Sequence, residues 1–541
     1  MIALNSRHNL VNTSVSILMP VYNTPPDVLE AAIRSVLCQT YADWELCICD
    51  DASTSPQTHR SLEKFKGFDH RIKILKASVN LGIAEATNTA AELATGDFVA
   101  FLDHDDTIDP DAIAQIVMAI HANPDADVLY TDEDKIEPNG SYSEPYMKPD
   151  WSPEHLMSVM YLLHMFVLRK SLFLDLGGVR SAYSGAQDYD LALRATTRAR
   201  RVVHIPRVLY HWRKIEGSAA AALEAKPQAL VKAGAALADF VKPYDATVEG
   251  GLFAGSFRVR WPINNERPVT LLILTNSRFR DIEGRGRILL VENFIHSILA
   301  KTTYPSIRIL VVDDGKMPSD VRSDLIARGV VVRQYPLEGT FNFPHKLNYS
   351  LTLVETEDVI ILNDDLEVIS PDWVEALLEQ SRRPEIGAAG ARLLFASGSV
   401  QHAGVVLGVQ GAASHIFHHW PGDHIAYCGF SHIVRNYSAV TAAVLATRLG
   451  VIREVGGFDE GFAIDYNDID FCLKVRKAGY RVVYTPFAEL YHFEASSLTR
   501  NAPNEADAQS FRARWASEID ADPHYSPHLP RDRNDCALDI W

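Results

Sequence analysis

Two near-continuous apolar runs stand at matching places in the two halves of the chain: residues 15–22 (VSILMPVY) and 269–276 (VTLLILTN). Runs of this length that end at turns read as strands buried on both faces. Helical periodicity follows each, at 27–39 and 287–300. A second apolar strand then closes on paired acids, WELCICDD at 44–51 and IRILVVDD at 307–314. Asn88 precedes Asp105 by 17 residues, and Asn348 precedes Asp365 by 17. The intervals hold a predicted helix and a third acid-ended strand, DFVAFLDHDD at 97–106 and DVIILNDDLE at 358–367. Further on, GGVRSAYSGAQDYDLALR (177–194) matches GGFDEGFAIDYNDIDFCLK (456–474), each opening a helix. Each is followed by a Pro-containing strand ending in Tyr-His, at His211 and His492.

The chain is therefore an internal repeat. Strand–helix–strand units with acids at the carboxyl ends of apolar strands predict an α/β fold that binds ligands outside those ends. Residues 217–242 are Ala-rich with helical period despite Pro227, and 243–267 suggest a short β-containing linker. The segment after about residue 500 is polar with four prolines and is expected along the surface.

Composition narrows the function. A net charge of −17 over 541 residues argues against nucleic-acid binding, which needs clustered Lys and Arg. The six cysteines show no zinc-type spacing, which fits a reducing cytoplasm. No signal-peptide pattern opens the sequence, and no run approaches the ~18 apolar residues of a membrane span. The segment VYNTPPD after the first strand lacks the Gly-rich basic loop that a triphosphate-binding pyrophosphorylase would need.

On these ordered motifs, residues 15–213 and 268–497 resemble family 2 inverting glycosyltransferases, which have the GT-A fold and build bacterial surface polysaccharides. The tandem arrangement resembles proteins of O-antigen, capsule and rhamnan assembly. The resemblance implies a first GT-A domain at 12–215, a helical and short β linker at 216–267, a second GT-A domain at 268–500 and a tail at 501–541. It implies a nucleotide-diphosphate sugar donor, Mn2+ or Mg2+, and a glycan or lipid-linked oligosaccharide acceptor. It also implies a cytoplasmic enzyme, with peripheral membrane or assembly-complex contact left open.

Residue by residue, the resemblance assigns nucleotide contact to Asp51 and Asp314, the later acids of the strand-end pairs. Pro20 and Tyr22 would shape the base pocket; the second copy has Leu274 and Asn276 there. Asn88, Asn348, Asp103 and Asp364 join the nucleotide-sugar set. Asp103, Asp105 and His211 would hold the metal in the first copy, and Asp365 with His492 in the second, where Asn363 replaces the first acid. Asp188 and Asp468 would deprotonate the acceptor hydroxyl, since a single in-line displacement needs one base on the acceptor side. Asp190 and Asp470 would brace the loop.

Other readings of these residues stand beside these. An acid opening a helix is also an N-cap. TDEDK (131–135) resembles an acceptor-side element or is a solvated acidic loop. The stretch with His402, His415, His418, His419, His424 and His432 is a zinc site of unusual spacing, an acceptor-binding loop with Trp420, or a polar surface loop. At the level of the chain, the rivals are one active domain with a degenerate glycan-binding partner, and a non-catalytic scaffold.

Overall fold

The computed structural model describes residues 13–215, 227–282, 286–336, 341–493 and 504–538. Its contacts divide it into two units. One runs to Trp151 and resumes over Val159–Val259; the other holds Ser152–Ser158 and Arg260 onward.

In the first unit the strand Val15–Val21 is buried at all seven positions and lies parallel to Trp44–Asp50 on one side and Phe98–Phe101 on the other. The sheet runs, in spatial order, Ile72–Lys76, Trp44–Asp50, Val15–Val21, Phe98–Phe101, Phe166–Arg169, Val128–Ile136, Val202–Arg213, Thr107–Ile108. Helix Pro26–Leu37 starts on proline, which tolerates the first helical position, and buries Leu29, Ala32, Ile33 and Val36 on one face. Burial of the Leu, Ile and Val side chains contributes roughly 1.5–3 kcal/mol each.

Glu45 ties this sheet together. It accepts from the Ser16 hydroxyl at 2.6 Å, Lys73 Nζ at 2.5 Å and the Thr95 hydroxyl at 2.8 Å. Burial pushes its carboxyl up, but Lys73, Ser16 and Thr95 outweigh that and hold it at about 2. A depressed carboxyl stabilises the fold above its unfolded value and loses that contribution as pH falls toward the folded one. Glu45→Gln should therefore cost up to about 3 kcal/mol at neutral pH, shrinking from pH 4 toward 2. Urea titrations at pH 7 and pH 3 check this; equal midpoints for both proteins at pH 7 would contradict it.

The second unit repeats the strand order: Val331–Gln334, Ile307–Asp313, Val269–Thr275, Asp358–Asn363, Val444–Arg448, Ile386–Leu394, Arg481–His492, Leu366–Val368. The parallel and antiparallel relations match as well. Its longer spacer carries short strands at Val400–His402, Val405–Leu407 and Ala413–His415.

Residues 216–226 of the expected linker helix lie outside the described residues. The described part runs from Pro227 to Val241 and is followed by paired strands Thr247–Gly250 and Phe257–Arg260. Asp239 accepts from Arg180 at 3.0 Å, so this helix is braced within the first unit.

The tail departs from the surface segment expected of it; residues 494–503 and 539–541 lie outside the described residues. Helix Glu505–Asp520 buries Ala508, Phe511 and Trp515, which share one face at helical spacing despite polar surroundings. Cys536 is also buried. Among the described residues no helix is long and apolar enough to cross a membrane.

Candidate functional site

In the first unit the acids of the third strand gather at its carboxyl end. Asp106 is fully buried; its carboxylate accepts from the Tyr210 hydroxyl at 2.6 Å and the Arg213 N–H at 2.7 Å. Burial, then the charges of Asp103 and Asp105, push its carboxyl well above the ordinary range. Asp105 is raised as well, mainly by burial. Packing acids this closely is unfavourable unless a cation neutralises them.

Asp103, Asp106 and His164 each offer a ligand atom within 4.8 Å of the others, and no other such trio of His, Cys, Asp or Glu occurs among the described residues. This trio shares Asp103 with the expected set; Asp105 and His211 lie outside it. His211 turns Nδ1 to Asp134 at 2.6 Å, with the Tyr142 ring 4.5 Å from its own. His164 stacks on Tyr210 at 4.4 Å and lies 3.9 Å from Asp103. Burial would lower His164, yet Glu133, Asp103 and Asp106 hold it at about 9. Two carboxylates and an imidazole suit Mg2+ or Mn2+.

TDEDK is not a solvated loop. It lies in strand Val128–Ile136 with its acids paired. Asp132 meets His204 at 2.9 Å, and Glu133 meets the buried Lys148 at 3.1 Å.

Asp188 stands in the first turn of helix Gln187–Arg198, partly exposed, and accepts from the Tyr189 N–H at 2.8 Å. Burial pushes its carboxyl up, opposed by that N–H and by His164, while Asp103 adds to the rise. The candidate base thus feels the acid cluster electrostatically. Asp190 faces away into Arg194 at 2.8 Å and into Arg180, the bracing role expected of it.

The nucleotide set is mixed. Pro20 is buried in the first strand and Tyr22 is exposed beyond it. Asp51 is buried and accepts from the Leu81 and Gly82 N–H groups at 2.6 and 2.9 Å, fixing the start of helix Ile83–Glu92. Asn88 uses its amide on the backbone of Val179, at 2.9 Å in both directions. Asn348 does the same with Phe458, at 2.8 and 3.0 Å. Both asparagines therefore pin the Gly-Gly turn that leads to the helix carrying Asp188 or Asp468. A Cβ on Gly178 would meet the Asn88 amide oxygen at 2.4 Å, so only glycine fits.

The second unit keeps the plan with altered chemistry. His492 Nε2 lies 3.2 Å from Asp365, the expected pair. Thr107 pairs with His211 and Leu366 with His492, so counting back from the last strand Asp365 corresponds to Asp106. Counting along the third strand it corresponds to Asp105, from Phe98 opposite Val15 and Asp358 opposite Val269. The turn between absorbs one residue. Asp364 accepts from the Thr275 hydroxyl at 2.5 Å, and burial with the Asp365 charge raises it to about 7. Asp314, expected on the nucleotide, is engaged by Lys346 Nζ at 2.6 Å. Lys346 is buried, also donates to the Thr275 carbonyl at 2.7 Å, and stands where the first copy has Ala86.

Asp468 occupies the first turn of helix Asn467–Lys477 and accepts from the Ala442 and Ile469 N–H groups at 3.0 and 2.9 Å. The tail helix supports it. Asp507 accepts from the N–H groups of Ala463, Ile464 and Asp465, each at 3.0 Å, and Trp515 donates to Asp470 at 3.0 Å. In the histidine-rich stretch His402 and His415 meet through Nδ1 at 3.2 Å, and no metal-ligand trio forms among the described residues.

Comparison with known proteins agrees with the repeat. The Glycosyl transferase family 2 model matches residues 16–177, and the Glycosyltransferase like family 2 model matches 285–516. The chain is 37% identical over 539 residues to the uncharacterised protein y4gI of Sinorhizobium fredii, covering 97% of this chain and 58% of that one. It is 36% identical over 532 residues to the O-antigen biosynthesis protein RfbC of Myxococcus xanthus, covering 97% and 41%. It thus spans about half the length of these relatives. A stretch of 92 residues is 50% identical to WfgD of Escherichia coli, a UDP-Glc:alpha-D-GlcNAc-diphosphoundecaprenol beta-1,3-glucosyltransferase, covering 17% of this chain and 35% of that one. With two family 2 models in sequence, laid over two sheets of one strand order, the chain belongs to glycosyltransferase family 2 and carries two GT-A domains in tandem.

Proposed function

We propose that the chain transfers sugars, with inversion, from nucleotide-diphosphate donors to hydroxyls of a growing bacterial surface polysaccharide carried on a lipid. The observation that carries this is Asp188 in the first turn of its helix together with the Asp103–Asp106–His164 cluster in the same unit, with Asp468 and Asp365–His492 as counterparts. RfbC, named for O-antigen biosynthesis, and WfgD, named for transfer to a GlcNAc-diphosphoundecaprenol, support the polysaccharide and lipid-linked acceptor. Such an acceptor would bring the enzyme to the inner face of the cell membrane.

In each transfer the acceptor oxygen attacks the anomeric carbon as the bond to the diphosphate oxygen breaks, and the hydroxyl proton passes to Asp188 or Asp468. Asp103, Asp106 and His164 would hold Mg2+ or Mn2+, which when bound neutralises charge on the diphosphate. Asp51 and Tyr22 line the nucleotide end of the first domain.

A second reading has its own support. Lys346 on Asp314, Asn363 in place of an acid, and Asp364 raised to about 7 leave the second site short of negative charge for a cation. In this reading the second domain binds glycan and only the first transfers sugar.

The test is Mn2+ binding and donor turnover. Excess chelator should abolish first-domain turnover of a nucleotide-sugar panel, and Mn2+ or Mg2+ should restore it. His164→Gln should weaken Mn2+ binding by at least ~10-fold, as loss of groups supporting a metal typically does, while His211→Gln leaves it nearly unchanged. Full turnover in chelator, or the reverse order of the two histidines, would contradict the assignment.

A further inference from the structure

We infer that Trp420, Asp423 and His424 form a pyranose-binding subsite for the acceptor glycan in the second domain. The ligand's identity rests on the glycosyltransferase reading; the site itself rests on geometry. These residues, with Pro421, line a cleft of about 430 Å3. The Trp420 and His424 rings lie 5.4 Å apart at 25° and form an aromatic shelf.

The loop that carries the shelf is fixed. Val400 N–H donates to the Trp420 carbonyl at 2.7 Å, and His419 N–H donates to the Val400 carbonyl at 2.8 Å. Gly422 N–H reaches the Gly398 carbonyl at 3.1 Å, and Arg392 donates to the Gly422 carbonyl. A Cβ on Gly422 would sit 2.4 Å from the Gly398 oxygen, so the approach requires glycine. A loop with its backbone already fixed binds with a smaller ordering cost.

Its position suits an acceptor. Val400 lies opposite Leu394, and Leu394 opposite Tyr491, the neighbour of His492. Two interstrand spacings of ~4.8 Å put Val400 roughly 10 Å from the strand that carries His492, and Trp420 and Pro421 pair one spacing further out.

The lining selects the ligand class. A pyranose has an apolar C–H face that packs on an aromatic ring and a rim of hydroxyls that donate to a carboxylate. Asp423 is exposed at the cleft, and its negative charge disfavours a phosphate-bearing ligand there. Few polar groups on an aromatic wall is the usual make-up of a small-ligand site.

The test is saturation-transfer NMR on the full chain with three probes: cellopentaose, delipidated oligosaccharides from a bacterial O-polysaccharide, and UDP. At least one oligosaccharide should bind the wild-type protein. Trp420→Ala should raise its Kd about tenfold or more, a loss of ~1.4 kcal/mol, Trp420→Phe should retain most binding, and the exposed Asp423→Asn should weaken it. UDP binding should be the same in all four proteins. Wild-type affinity in Trp420→Ala and Asp423→Asn, or no oligosaccharide binding to the wild type, would overturn the subsite. Donor turnover in Asp188→Asn reports separately on the glycosyltransferase reading, so the two can fail independently.

Discussion

Asp188→Asn should slow sugar transfer by the first domain ~10²–10⁴-fold, the usual cost of a lost general base. Asparagine keeps the size of the side chain and can still accept the Tyr189 N–H, so the fold should survive. Donor binding should also survive, because the proposed nucleotide contacts, Asp51 and Tyr22, are left untouched. The pH profile adds a second readout. Burial raises the Asp188 carboxyl, and the base works only when ionised, so transfer should fall as pH drops through that raised value. The acid limb of the rate should therefore lie above the ~3.9 of an ordinary aspartate. Asp188→Asn should erase this limb along with the rate. Single-turnover assays with labelled donor between pH 4 and 8 check both. A loss smaller than tenfold, or an unchanged limb in the variant, would remove Asp188 from the mechanism.

Lys346→Met should destabilise the second unit by about 3–5 kcal/mol, because it strands the Asp314 carboxylate without its counter-charge. Asp314 is only 8% exposed and Lys346 3%, so water cannot take over. Burial lowers the Lys346 ammonium and Asp314 opposes that, which is how a paired buried charge behaves. The double variant Lys346→Met with Asp314→Leu should recover much of the loss, since replacing both members by apolar groups avoids the uncompensated charge. Chemical denaturation of the full chain, following the transition of the second unit, measures it. A single variant within 1 kcal/mol of wild type would show that the pair is solvated in practice.

The repeat was legible because apolar strands, acid-ended turns and the Asn-to-Asp interval recur in one order, and packing demands that pattern wherever the sheet is built. The same strand sequence in both units follows from it. Several site features left no comparable trace. His164 sits in the apolar run MYLLHMFVL, where a lone histidine reads as core; its neighbours Tyr210 and Asp103 are far away in sequence. Asp106 was visible as a third acid, but only strand pairing shows that the turn shifts by one residue between copies. Lys346 could have been noticed as a lysine where the aligned helix carries Ala86. The tail helix was hidden by polar composition, although Ala508, Phe511 and Trp515 already had helical spacing.

The central claim is that each domain transfers a sugar, and product analysis of the two base variants tests it most directly. The full chain, Asp188→Asn and Asp468→Asn would each be given the donor panel with a lipid-linked acceptor, and the glycans resolved by mass. The account predicts that each variant stalls at a different product, and that mixing the two restores the complete product when the intermediate is free to diffuse. Complete product from Asp468→Asn at the wild-type rate, with none from Asp188→Asn, would contradict two active domains and leave the second as a glycan-binding module.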